Sequence, residues 1–321
     1  MSKTFIIGHQ KPDTDSVVAA LALEFLFNQQ KSFGYQNAQA AIVDPINNET
    51  NYLLDRFKIP APELITAQNI AQEDQVILVD HNEESQRLAN LDPGQIVEII
   101  DHHKANFNFS NPIYLNFKPW GSTTSIVYFM MQRFASKPIK PTQKLAALML
   151  AAILSDTVGF KSSTTTKRDK DMTQELAGIA QISDLEQFTL DIFKAKSDLS
   201  SLTPQQLVKN DYKKFEFNRS TFIGQLETVQ QAEILATQKQ ELLKAMQEVK
   251  QDENVELIFL AVTDVLKTNT KLLVADSESE AVAEKAFSET AQDGVIDIGP
   301  RLSRKKDIAP AIEQALKNIS K

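Results

Sequence analysis

Short apolar runs separated by polar turns fill the first half of the chain. Residues 4–7 (TFII), 40–43, 76–79 and 96–100 are rich in Ile, Val and Ala and too short for helices, so they are predicted strands. Residues 17–27, 125–134 and 144–154 are longer apolar segments and are predicted helices. This alternation from residue 4 to about 190 implies βαβ units and a mostly parallel sheet covered on both faces. In such sheets ligands bind in the crevice at the carboxyl ends of the strands.

The pattern changes at 194–211, KAKSDLSSLTPQQLVKND, which is rich in Ser, Lys, Asp and Gln and contains Pro204. It reads as a linker ending in a short helical turn. Beyond it, strand signals recur at 215–217, 221–226, 256–262 and 271–275, with one long helix predicted over 230–249. A further helix over 278–287 follows Asp276 and Ser277, which can cap its start. The predicted organisation is α/β throughout: a mostly parallel-sheet domain at 1–193, a linker at 194–211, and a smaller domain with a mixed sheet at 212–321. The active site is expected in the cleft between the domains. No internal repeat or low-complexity tract is visible.

Composition narrows the function. The 321 residues carry a net charge of −8, so no global basic field attracts nucleic acid. A local cluster of Lys and Arg can still serve a small anion. The chain has no cysteine, which removes disulfides, thiolate ligands and thiol nucleophiles together and fits a reducing cytoplasm. The apolar stretch at 4–7 is too short for a signal peptide, and no run reaches the ~18 apolar residues of a membrane span.

All four histidines stand in short acidic motifs directly after predicted strands. His9 opens GHQKPDTDS with Asp13 and Asp15, His81 follows Asp80 in LVDHNE, and His102 and His103 follow Asp101 in DHHK. A parallel sheet would bring these motifs to one crevice. Imidazole and carboxylate without thiolate favour Mn, Mg, Co or Fe over a closed zinc site. Asp13 or Asp15 can instead be a helix cap and Asp80 a turn former, but three potential ligands within seven residues exceed what capping needs. Two carboxylates one residue apart can splay toward two metals, and Asp80 can bridge them. Adjacent histidines on an extended segment should point to opposite sides, one toward metal and one toward substrate. Asp101 can orient an imidazole. His81 is either such a partner or polar surface. Asp156, ending an apolar helix in LSDTVGF, needs a partner or a metal, unless it caps the next turn. In the second domain, Arg304, Lys305 and Lys306 in SRKK and the pair Lys213 and Lys214 read as solvated surface in isolation. As one arm of a cleft they can neutralise a phosphate-rich anion.

GHQKPDTDS, LVDHNE, DHHK, LSDTVGFKS and SRKK, in this order, resemble the family II inorganic pyrophosphatases, manganese-dependent members of the DHH phosphoesterase superfamily. The resemblance spans essentially the whole chain. The first four motifs indicate the superfamily and SRKK selects the pyrophosphatase branch. The nuclease and oligonucleotide-phosphatase branches end in a GGGH motif, which is absent here.

The resemblance implies that His9, Asp13 and Asp80 hold one Mn²⁺ and that Asp15, Asp80, His102 and Asp156 hold a second, with Asp80 bridging. Co²⁺ is an alternative metal, and Mg²⁺ arrives with substrate. It implies that His103, Lys213, Arg304 and Lys305 contact pyrophosphate, with Lys214 the alternative to Lys213. Asp80, His103, Arg304 and Lys305 would carry catalysis, as a metal-bridged hydroxide attacks phosphorus in line. A cytoplasmic homodimer joined through the N-terminal domain, with no nucleic acid or membrane partner, completes the expectation. Lys11 departs from the family's common asparagine and Ser163 from a proline, neither at a ligand position. DHHK and LSDT lie too close together for a regulatory nucleotide-binding insert. The rival readings are a short-chain polyphosphatase or a nucleotide or oligonucleotide phosphodiesterase on the same metal core, and a metal-binding or regulatory protein without turnover. Few aromatics are available to stack bases, which disfavours the oligonucleotide reading.

Overall fold

The computed structural model describes residues 2–35, 37–135, 137–197, 199 and 202–319. The chain divides into two compact units, Met1–Lys196 and Ser197–Lys321. Of the predicted linker, Asp198, Ser200 and Ser201 lie outside the described residues.

The first unit runs β1 (Thr4–Ile7), α1 (Thr14–Gln29), β2 (Ala38–Ile42), α2 (Asn48–Phe57), β3 (Glu63–Leu64), β4 (Gln75–Val79), β5 (Ile96–Asp101), β6 (Tyr114–Phe117), α3 (Thr123–Arg133), α4 (Gln143–Asp156), α5 (Lys167–Ala180) and α6 (Leu185–Lys196). The strands form one sheet in the order β3-β2-β1-β4-β5-β6, and every pairing is parallel. β1 is therefore flanked by β2 on one side and β4 on the other. The strand order reverses there, and the loops after β1 and β4 open a crevice at their carboxyl ends.

The strands are apolar on both sides because both faces of the sheet are covered. Ile6, Ile77, Val79 and Ile100 pack against α1–α6. Phe5, Ile7, Leu78 and Ile99 pack against Leu88, Phe107, Phe109 and Ile113 from connecting segments. Both faces are covered, as predicted, but the helices lie on one of them. The segments joining β4, β5 and β6 form only short 3₁₀ turns, so no helix is available for the other face. α6 continues through Lys196, so residues 194–196 of the predicted linker are helical and the division falls after them.

The second unit contains α7 (Pro204–Val208), β7 (Tyr212–Glu216), β8 (Ser220–Thr228), α8 (Gln231–Thr237), α9 (Lys239–Asp252), β9 (Leu257–Asp264), β10 (Asn269–Val274), α10 (Ser277–Phe287), β11 (Val295–Asp297) and α11 (Ala309–Ile319). The sheet order is β11-β10-β9-β8-β7, with β8 and β9 parallel and the remaining pairs antiparallel. Alternate residues of β9 face opposite layers. Phe259 and Ala261 meet α10 and α11, whereas Ile258 and Leu260 meet α7 and α9.

The single helix predicted over 230–249 is two helices. Gln238 leaves the helical range at φ −119°. Gln231 ties α8 to the carbonyls of Val262 and Asn269, while α9 lays Leu242, Met246 and Val249 into the core, so one straight axis does not serve both. Asp276 caps α10 as the sequence predicts, accepting from Ser279 N.

Candidate metal centre

The polar loops after β1, β4 and β5 and the end of α4 converge on one point of the first unit. Three groups of side chains there offer ligand atoms within 4.8 Å of one another: His9, Asp13 and Asp80; Asp15, His102 and Asp156; and Asp80, His102 and His103. Asp80 is buried and presents one oxygen to each side. Its Oδ2 lies 3.6 Å from His9 Nε2 and its Oδ1 lies 3.4 Å from His102 Nε2. Its backbone sits at φ 63°, a left-handed conformation unusual for a residue other than glycine.

The second group completes the pattern. His102 Nε2 is 3.3 Å from Asp156 Oδ2. Both atoms are buried without a hydrogen-bond partner. Asp156 closes α4 and caps nothing, so the capping alternative does not hold. Spacings of 3.3–3.6 Å are long for hydrogen bonds. They match two donors on one ion, since ligand bonds of about 2.1 Å place neighbouring donors about 3–3.5 Å apart. Two buried ligand atoms lacking any other partner, in an all-nitrogen-and-oxygen donor set, fit a divalent metal such as manganese.

Neighbouring groups aim the ligands. The Nδ1 atoms of His9 and His102 face the carbonyls of Gln10 (2.7 Å) and Trp120 (3.0 Å), which directs each Nε2 into the centre. Asp13 is both the N-cap of α1, accepting from Ser16 N, and a member of the His9 group. Asp15 accepts from Thr123 N (2.6 Å) and Thr124 N (3.0 Å), so its charge sits at the N-terminus of α3. Thr123 Oγ1 donates to Asp80 Oδ1 at 2.9 Å. The strand motifs pointed to the ligands but not to this support. Its signal was the Ser-Thr-Thr-Ser run that opens the helix, with Ser122 as the cap.

The histidine pair corrects one expectation. β5 ends at Asp101, so strand alternation stops before His102, and the two rings stand 4.1 Å apart instead of on opposite sides. His103 Nδ1 is 2.9 Å from Asp101 Oδ1, and Asn82 Nδ2 donates to the other oxygen of that carboxylate at 2.6 Å. The His103 side chain is 55% exposed against 7% for His102. His81 is not surface. It is buried against the carbonyl of Val79, and burial pushes its pKa down to about 4, so it is neutral. Lys11 takes φ 52°, a conformation asparagine adopts more easily, and its N–H donates to Asp44. Ser163 is exposed.

In the second unit, Arg304 begins a π-helical turn, Arg304–Ile308, that leads into α11. Its guanidinium donates to the carbonyl oxygen and to Oδ1 of Asp211, both at 2.8 Å. Lys305 is exposed. Lys213 and Lys214 are adjacent on β7 and so face opposite ways. Lys214 is ion-paired with Glu253, and Lys213 lies over Phe215, with no ion pair among the described residues.

Comparison with known proteins places this centre. Residues 3–153 match the DHH family N-terminal domain, and residues 190–315 match the DHHA2 domain. The manganese-dependent inorganic pyrophosphatase of Methanocaldococcus jannaschii is 36% identical over 97% of this chain and 98% of its own length. That of Methanothrix thermoacetophila is 38% identical over 98% of both chains. The chain belongs to the manganese-dependent family II inorganic pyrophosphatases. A crystal structure from Methanococcus jannaschii assigned to this pyrophosphatase family is 35% identical, covers 98% of this chain and 99% of its own, and superposes with a TM-score of 0.61.

The crowded carboxylates of this pyrophosphatase centre need either protons or cations to be stable there. Burial, reinforced by Asp15 and Asp13, pushes Asp156 up to about 9, and burial with Asp15 nearby holds Asp80 well above the carboxylate range. Burial also raises Asp15. Burial opposes the charge on His9, but Asp13 and Asp80 outweigh it and raise the ring to about 11. In metal-stripped protein both shifts have the same sign. Asp156 holds a proton that the unfolded chain releases near pH 4, so its contribution is full below pH 4 and lost as pH rises through about 9. The His9 contribution is full below pH 6.5 and lost toward 11. The melting temperature of the metal-stripped protein is therefore expected to fall from pH 6.5 to pH 9, and Mn²⁺ should raise it more at pH 9 than at pH 6.5. Calorimetry showing equal Mn²⁺ stabilisation at both pH values would contradict this electrostatic account.

Proposed function

We propose that the chain hydrolyses inorganic pyrophosphate to two phosphates at a centre holding two Mn²⁺ ions. His9, Asp13 and Asp80 would hold one ion, and Asp15, Asp80, His102 and Asp156 the other. The observation that carries this reading is the division of Asp80, with one oxygen toward His9 and one toward His102. Full-length similarity to manganese-dependent pyrophosphatases supports the substrate. A bound metal pair supplies acidified water and charge neutralisation at the phosphoryl group. Co²⁺ suits the same donors, and Mg²⁺ would accompany the substrate as its counter-ion.

The chain's own residues do the rest. His103, exposed and held by Asp101, is placed to donate a hydrogen bond to a phosphate oxygen, and its bond to Asp101 raises its pKa. Arg304 and Lys305 would bind phosphate, Arg304 with a guanidinium braced by Asp211. Lys213 is favoured over Lys214 because Glu253 already neutralises Lys214. Asp80→Ala should lower Mn²⁺ occupancy and cut kcat by at least ~100-fold. Arg304→Ala should leave both metals bound while kcat/KM falls by ~10²–10³-fold. Metal analysis with phosphate-release kinetics checks both, and normal turnover by both variants would end the assignment.

The protein is further proposed to act in the cytoplasm as a homodimer joined through its N-terminal unit. No helix among the described residues is long and apolar enough to cross a membrane. β6 is an edge strand whose Tyr114 and Leu115 are 74% and 50% exposed, and such edges are normally covered. Light scattering should give twice the chain mass of 35.9 kDa, and Tyr114→Lys should shift it toward one. A monomeric mass for the unaltered protein would exclude the dimer.

A further inference from the structure

Residues 120–125 bond to three ligands of the second metal group and pack beside the fourth. Trp120 O receives His102 Nδ1, Thr123 Oγ1 donates to Asp80, and Thr123 N and Thr124 N donate to Asp15. Gly121 packs so closely on Thr157, the residue after Asp156, that a Cβ there would lie 2.6 Å from Thr157 Cγ2. Besides these bonds to the metal loops, the segment has a separate anchor. It rests on Asp169, a fully buried carboxylate in the first turn of α5.

Asp169 accepts from Gly121 N at 2.9 Å and Ser125 Oγ at 2.7 Å, one on each side of the segment. It also accepts from Thr166 N (2.8 Å) and Thr166 Oγ1 (2.6 Å), which closes a capping box at the start of α5. The carboxylate is therefore satisfied only when α5 and the segment are both in place. Capping alone needs the Thr166 contacts. The bonds to Gly121 and Ser125 span more than forty residues of sequence and take no part in the α5 cap.

We infer that Asp169 is a positioning residue for the second metal subsite, fixing through residues 120–125 the orientation of Asp15, Asp80 and His102. The inference rests on the two-metal reading above. Alanine at this position removes both acceptor oxygens, so Gly121 N and Ser125 Oγ both lose their partner, whereas an asparagine could keep its oxygen toward Gly121 and donate to Ser125 Oγ. Groups that orient metal ligands typically contribute 10–100-fold in affinity when removed. The loss should fall chiefly on the Asp15/His102/Asp156 group, because Asp80, which both groups share, meets Thr123 through the oxygen facing His102, while His9 and Asp13 are supported by Gln10 and Ser16.

The test is Mn²⁺ titration of metal-stripped protein, followed by electron paramagnetic resonance to count free ions and detect the coupled pair. The unaltered chain should bind two ions. Asp169→Ala should weaken the second by roughly 10–100-fold and the first by less, and the coupled signal should disappear at Mn²⁺ concentrations that saturate the unaltered protein. Thr166→Ala removes the cap but keeps the bonds to Gly121 and Ser125, so it should lower the melting temperature without altering either affinity. Ser125→Ala, a milder change that tests the same contact should Asp169→Ala not fold, should again weaken chiefly the second ion. Equal weakening of both ions, or no weakening despite a lowered melting temperature, would overturn the positioning role. A single ion on the unaltered chain would overturn the two-metal reading first and this inference with it.

Discussion

Four aspartates, Asp13, Asp15, Asp80 and Asp156, share one largely buried crevice, and that crowding is the constraint around which the first unit is built. Carboxylates taken out of water and set against one another cannot all remain ionised without cations. Two imidazoles among them offer nitrogen lone pairs, and Asp80 divides its oxygens between them. The left-handed backbone at Asp80 and the buried atoms of His102 and Asp156 that lack partners are local costs. Metal coordination would offset them.

The sheet makes this arrangement possible. In the order β3-β2-β1-β4-β5-β6, the loop after β1 and the loop after β4 start from neighbouring strands and diverge, while β5 delivers the histidine pair alongside. The N-terminus of α3 then offers two N–H groups to Asp15. Strand ends place the ligands, helix ends neutralise or aim them, and Asp169 ties the aiming segment to a helix remote in sequence.

The candidate ligands His9, Asp80 and His102 were brought out because their motifs directly follow apolar strands, and a parallel sheet sends successive strand ends to one side. β1 was readable to the residue. What escaped was set by tertiary packing. β6 is largely exposed and carries no alternation, and α5 is too polar to announce a buried face. The break at Gln238 comes from Gln231 bonding to the ends of β9 and β10, which no local spacing records. The orientation of His102 and His103 was misread because the strand stops one residue early. Lys213 and Lys214 were indistinguishable until Glu253, about forty residues on, proved to neutralise one of them.

The substrate is the claim on which the rest converges, and one assay addresses it. Metal-stripped protein is reloaded with Mn²⁺ in excess Mg²⁺ and given pyrophosphate, tripolyphosphate or a short single-stranded oligonucleotide. Fast, metal-dependent phosphate release from pyrophosphate alone is the predicted result. Hydrolysis of tripolyphosphate or the oligonucleotide with pyrophosphate left intact would keep the metal pair but contradict the assignment of Arg304 and Lys305 to pyrophosphate.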